Sequence, residues 1–405
     1  MFEELRQFGL DRHDFPTLLR NVSTLLRMLT LNIDSRNTKR IPFIFYVWTL
    51  VALSCYVYGF PISVFWFIFI RDVEEELLKQ RKIIAFAQLT VCTGSVTTFL
   101  YMYWNKNKLK RIIDAYILCD SKVVPNSRMS RNIKGTLKSV KKRALIFWIF
   151  IMSQVVIYLT VRPLIVDRNS TKDYQLLWGL DPIVETPNFE ISLFVITMIS
   201  TVSVFAPLNM LVLLMVIAGY SEAHMLALSE ELLYLWEDAV IDYQMQPSKE
   251  ESNQITSMDE FVKRRLDNII KSHAQSIQMF QLVDDLFRNG IAIQFILNSI
   301  SLVACLMGGL ENTYAQTPFT LMVVGMGCYT GQNLMDASFT FEAAVYRCKW
   351  EKFDNNNMKS VLLMLRCAQK TMKLSAGGVA SLSYACFTSI ARSIYSVYTA
   401  FQSRD

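Results

Sequence analysis

The amino-acid sequence predicts an all-α membrane protein. It has seven transmembrane helices, a cytoplasmic amino terminus, an extracellular carboxyl terminus and a cytoplasmic helical anchor bundle. Three observations predict this. The apolar residues arrive in seven blocks, Lys and Arg crowd into alternate segments between them, and the longest connecting segments carry helical apolar periodicity. The chain has 405 residues, 52% hydrophobic and 19% charged, which is more apolar than a typical soluble domain.

The first block, residues 41–70, contains no charged residue. Residues 83–104, 144–166, 191–219, 291–309, 318–341 and 376–401 are similar runs with few or no charges. A helix of about 20 apolar residues crosses the hydrocarbon core, and in lipid only helices or closed barrels satisfy every backbone group. The first block begins too late and runs too long for a cleaved signal peptide.

Lys and Arg set the orientation. With the amino terminus inside, the inner segments 1–40, 105–143, 220–290 and 342–375 hold 7, 12, 6 and 7 of them. The outer segments 71–82, 167–190, 310–317 and 402–405 hold 4, 2, 0 and 1. The positive-inside rule then puts the amino terminus in the cytoplasm, opposite to a G-protein-coupled receptor. The net charge of +6 is explained by this asymmetry and needs no nucleic-acid partner. None of the eight Cys falls in an outer segment, so no extracellular disulfide framework is expected. Asn169-Ser170-Thr171 is a glycosylation sequon on the outer side, whereas Asn21-Val22-Ser23 is the same pattern on the wrong side.

Between the spans, 223–243 reads as the fourth span continuing inward, 244–257 as a polar loop, and 358–374 as an amphipathic helix. Val262, Leu266, Ile269, Ile270, Ile277, Phe280, Val283 and Phe287 recur at helical steps, so that helix should run straight into the fifth span. No internal repeat is visible.

Enzyme signals are poor. The three His (His13, His224 and His273) are scattered over inner segments, and no nucleophile–base or metal-ligand spacing occurs, so no cofactor is expected. Gly327 and Gly331 in "GMGCYTG" favour close helix packing over phosphate binding. Two Arg lie within spans: Arg162 can snorkel to the headgroups, and Arg392 lies deeper. Asp336 is deeper still, so the last two are not expected to pair. In the last run Ser389, Ser393, Ser396, Thr399 and Ser403 fall at steps of three and four on one helix face, with Ile390, Ile394, Val397 and Phe401 on another. Such a stripe meets water in a pore or packs against protein. Periodicity leaves both open.

Residues 325–402 carry a more specific pattern. Its elements are Cys328, Gly331, Ser338, Tyr346 and Trp350, then Arg366-Cys367-Ala368-Gln369-Lys370, the Ala376-Gly377-Gly378 turn, and Ser393-x-Tyr395-Ser396-x-Tyr398-Thr399. In order and spacing this resembles the carboxyl-terminal signature of insect odorant receptors. Thr371 departs from it, because the family often has Pro there. Residues 16–34 look similar to the moth pheromone-receptor branch. The resemblance implies an odorant- or pheromone-gated nonselective cation channel subunit in the cell membrane of olfactory sensory neurons. The subunit would form a tetramer with the olfactory co-receptor, Orco.

Carried onto this chain, the resemblance divides it into ligand-binding spans (1–219), anchor segments with spans five and six (220–375) and a pore-lining last span (376–405). The pore would be lined by Ser389, Ser393, Ser396, Thr399, Gln402 and Ser403, narrowest near the last three. A small, volatile, hydrophobic ligand would sit among Phe86, Leu89, Val155, Tyr158, Thr197, Met198, Thr201, Phe205 and Phe319. The alternatives are a gustatory receptor of the same superfamily and a G-protein-coupled-type receptor. The charge asymmetry and the missing DRY and NPxxY sequences disfavour the latter.

Overall fold

The computed structural model describes residues 12–70, 76–157, 177–182, 185–245, 257–309, 313 and 316–402. Tyr158, Arg162, Asn169 and Ser403 lie outside the described residues.

Helix α1 (Phe15–Met28) starts where the Asp14 carboxylate accepts the Thr17 N–H at 3.1 Å and Pro16 occupies the first turn, an N-cap followed by a residue that needs no partner for its nitrogen. Helix α2 (Phe43–Ile70) holds the first span and widens into π-turns at Tyr58–Ile62, around Pro61, and at Trp66–Ile70. Helix α3 (Glu76–Trp104) is followed after one residue by α4 (Lys106–Ser121), and α5 (Arg128–Val156) is capped by the Ser127 hydroxyl. Helix α6 (Asn188–Leu233) breaks at Tyr234 before α7 (Leu235–Gln244). Helix α8 (Met258–Met307) is one rod of 50 residues, about 75 Å at 1.5 Å per residue. Helices α9 (Gln316–Arg347), α10 (Asn355–Ala368) and α11 (Tyr384–Gln402) complete the described chain.

Among the described residues, four helices are long and apolar enough to cross a membrane: Phe43–Ile70, Gln80–Trp104, Asn188–Leu233 and Met258–Met307. The other three expected spans fall in α5, α9 and α11, which are helical but more polar. The continuous helix through the fifth span is present, because Val262, Leu266, Ile269, His273, Ser276, Phe280, Val283 and Phe287 are all buried along one side of α8.

Two expectations need correction. The helix predicted over 358–374 is Asn355–Ala368, started by the Asp354 cap. The last span starts at Tyr384 rather than 376, because a hairpin of β1 (Ser375–Ala376) and β2 (Ala380–Ser381) precedes it. Gly377 and Gly378 turn it with φ of 64° and 74°, conformations that side-chain-bearing residues rarely adopt. The Asp284 carboxylate on α8 accepts the Ser375 N–H at 2.7 Å and its hydroxyl at 2.8 Å, and Gly377 N–H donates to the Arg288 carbonyl. These bonds outcompete continuation of a helix.

Helix α6 is the hub. It packs along α5 and α9, while α8 packs along α3. At Gly219 a Cβ would meet Val140 of α5 at 2.6 Å, so glycine permits that crossing. One end of these helices is laced by polar contacts. Arg128 donates to Glu231 and Asp238, Arg265 to Asp238 and Asp242, and Lys349 pairs with Glu237. His224 shares a hydrogen bond with Ser276 at 2.7 Å, and His273 stacks on Phe341. Three amphipathic segments therefore close largely within one chain.

Candidate ligand site and conduction face

The middle of α6 departs from α-geometry. Pro207 has no N–H for the Ser203 carbonyl four residues earlier, and the backbone opens into a π-turn at Thr201–Phe205, a device frequent at functional sites. Asn209, fully buried, donates from Nδ2 to the Phe205 carbonyl at 2.7 Å and accepts from Trp148 Nε1 of α5 at 3.3 Å. This side chain fastens the end of the π-turn to the neighbouring helix.

Thr201 and Phe205, two expected ligand residues, lie on this turn. Thr197 and Thr201 donate their hydroxyls to the Leu193 and Thr197 carbonyls, which leaves their oxygens as acceptors. Met198 is buried in an apolar cluster with Tyr56 and Phe60 of α2, and Leu89 of α3 packs on the same cluster. Phe205 packs on a separate small cluster with Phe99 and Leu29, and Phe319 on the main core. Val155 is half-buried. Phe86 is 43% exposed, facing outward rather than into the cluster. The structure therefore brings Leu89 and Met198 to one cluster, while Phe205 and Phe319 pack elsewhere.

Sequence reasoning missed the contribution of α2. Tyr56 and Thr93 share a hydroxyl hydrogen bond of 2.9 Å between α2 and α3, and Tyr58 donates to the Trp178 carbonyl at 2.6 Å. Ser203 is buried, with its hydroxyl beside the Cys92 thiol of α3. Pro61, Pro207 and Asn209, polar or helix-breaking residues inside apolar runs, were the available signals.

Most of α11 is uncovered, the hydroxyl row and Tyr395 included. Ser389, Ser393 and Ser396 are exposed and Thr399 half-exposed, whereas Ile394 is buried against its own subunit. The helix is described as far as Gln402. The apolar side is less uniform than expected, because Val397 is 41% exposed. Arg392 is also exposed.

A polar and aromatic chain connects α5 and α6 to the start of α11. Arg143 donates to Glu222 at 2.8 Å and lies over the Tyr329 ring of α9 at 5.5 Å. The rings of Tyr329 and Tyr384 are 6.2 Å apart, and Tyr384 N–H donates to Gln332 Oε1 at 3.2 Å. Gln332 also holds Asp336, so Asp336 is engaged within α9 and not with Arg392. Burial pushes the Glu222 carboxyl up from its ordinary value, against the pull of Arg143.

Residues 83–395 match the family model described as 7tm Odorant receptor. The chain belongs to the odorant receptor family. It is a receptor rather than an enzyme. It is 27% identical over 123 residues to Odorant receptor 85b of Drosophila melanogaster, covering 28% of this receptor and 31% of that one. The aligned part thus spans about a third of that relative. The fold is similar to the insect olfactory receptor OR5 from Machilis hrabei, with a TM-score of 0.76 at 10% identity over 95% of this chain and 97% of that chain. It is also similar to OR5 in complex with eugenol, with a TM-score of 0.72 at 12% identity over 96% and 99% of the two chains.

Proposed function

We propose that this receptor is a subunit of an odorant-gated, nonselective cation channel that assembles as a tetramer with the olfactory co-receptor in sensory-neuron membranes. The observation that carries this reading is the uncovered hydroxyl row Ser389, Ser393 and Ser396 on the last helix of an odorant receptor-family chain. A polar row on a spanning helix has to meet water or protein, not lipid. Several such rows around an axis make a conduction path that Thr399, Gln402 and Ser403 narrow at its outer end. The Lys and Arg asymmetry supports a cytoplasmic amino terminus, with 1–219 binding ligand, 220–375 anchoring and 376–405 lining the pore.

The ligand is a small, volatile, hydrophobic molecule with one polar group, as the pheromones of the branch that residues 16–34 resemble would be. The apolar cluster around Met198 and Leu89 and the acceptor hydroxyls of Thr197 and Thr201 suit it. Eugenol, bound in the Machilis complex, is likewise small and largely apolar. Gating is a population shift in which ligand held around the α6 π-turn alters α6. The Arg143–Glu222–Tyr329–Tyr384 chain carries that change to α11.

The test is expression in oocytes with and without the co-receptor under a panel of volatiles. Odour-evoked cation current without G protein is expected. Thr399→Val should change relative ion permeability while leaving ligand ranking unchanged. A change in ranking alone would remove the pore assignment.

A further inference from the structure

The contact between α9 and the start of α11 is unusually close. A Cβ on Gly331 would meet the Leu382 carbonyl oxygen at 2.3 Å, and one on Gly325 would meet Phe387 at 3.7 Å. Cys328 lies midway between these glycines, at steps of three that keep all three on one side of α9. On the facing segment Cys386 lies between Leu382 and Phe387. The Cys328 thiol is 1% exposed and lies within hydrogen-bonding reach of the Cys386 thiol and of the Ser383 N–H. Cys386 is half-buried and packs on the main core, and its own N–H donates to the Ser383 hydroxyl. Both cysteines are free.

We propose that Cys328 and Cys386 form a redox-sensitive dithiol, which a hydroperoxide converts to a disulfide fastening the start of α11 to α9. Cys386 is the accessible partner and reacts first. Its thiolate attacks the terminal oxygen of ROOH, the O–O bond breaks, and the products are the Cys386 sulfenic acid and ROH, with the thiol proton passing to the alkoxide. The Cys328 sulfur then attacks the sulfenic sulfur and expels hydroxide, which leaves as water with the Cys328 proton. Two thiols are oxidised and one peroxide is reduced.

Disulfides facing a reducing compartment are usually transient and regulatory. The consequence for current rests on the channel reading above. A covalent link at this junction arrests any movement of the start of α11 against α9.

The test treats the full-length receptor in lipid nanodiscs with tert-butyl hydroperoxide, followed by non-reducing digestion and mass spectrometry. The expected product is one peptide pair joining Cys328 to Cys386, two hydrogens lighter than the free peptides and reversed by dithiothreitol. In oocytes the same treatment should at least halve the odour-evoked current, dithiothreitol should restore it, and Cys386→Ser should abolish the effect while keeping the other seven thiols. Cys328→Ala is the second variant, and the cross-link in the unmodified receptor needs neither. Absence of that peptide pair overturns the proposal, as does a cross-linked receptor whose current is unchanged. A cross-link in a receptor that never conducts supports the dithiol and removes the channel reading instead.

Discussion

Asn209 joins the α6 π-turn to Trp148 of α5 with both halves of its amide. Asn209→Leu leaves the Trp148 indole N–H and the Phe205 carbonyl without those partners, and a buried group so orphaned costs about 1–3 kcal/mol. A lowered unfolding midpoint in detergent is expected, and an unchanged midpoint would show that the joint carries no weight. The two buried histidines predict a pH dependence. Burial, and for His224 also the charge of His273, hold both imidazoles at about 4 instead of 6.5. The unfolded chain therefore binds more protons between those values. Stability is fully present above pH 6.5 and falls as pH drops towards 4. His273→Phe should flatten the midpoint-against-pH curve, and a wild-type curve level from pH 7 to 5 would contradict the argument.

At the scale of elements, the α9–α11 contact is set by a missing side chain. Gly331→Ala drives a Cβ into the Leu382 backbone, and overpacking of this kind costs typically about 1–3 kcal/mol. Reduced surface expression or altered basal current is the expected outcome, and wild-type behaviour in both would show that the contact yields freely. Asp284→Ala removes the acceptor that holds the hairpin through Ser375 and should produce the same phenotype. The contrast in legibility between these elements is physical. Helix α8 was readable because its buried residues keep one period from Val262 to Phe287. The hairpin before α11 was not, because two-residue strands have no period and their register depends on Asp284, remote in sequence. The hydroxyl row of α11 was readable as a row. Which face the fold leaves uncovered depends on α8 and α9. The ligand candidates were less legible, because an apolar helix has no polar face to orient it.

For the whole molecule, polar contacts lace α6, α7 and α8 at one end, and apolar packing joins α2, α3 and α6 at the other. An amino-terminal tag should stain only after permeabilisation, and staining of intact cells would invert the proposed orientation. The central claim is that the Ser/Thr row of α11 borders a shared aqueous path. The most direct measurement is cysteine accessibility along that helix, with Ser389, Ser393, Ser396 and Ile394 each replaced by Cys and exposed to a charged methanethiosulfonate reagent during odour-evoked current. The account predicts block at Ser389, Ser393 and Ser396, and protection at Ile394. Equal protection of all four, or modification only at Ile394, would contradict it.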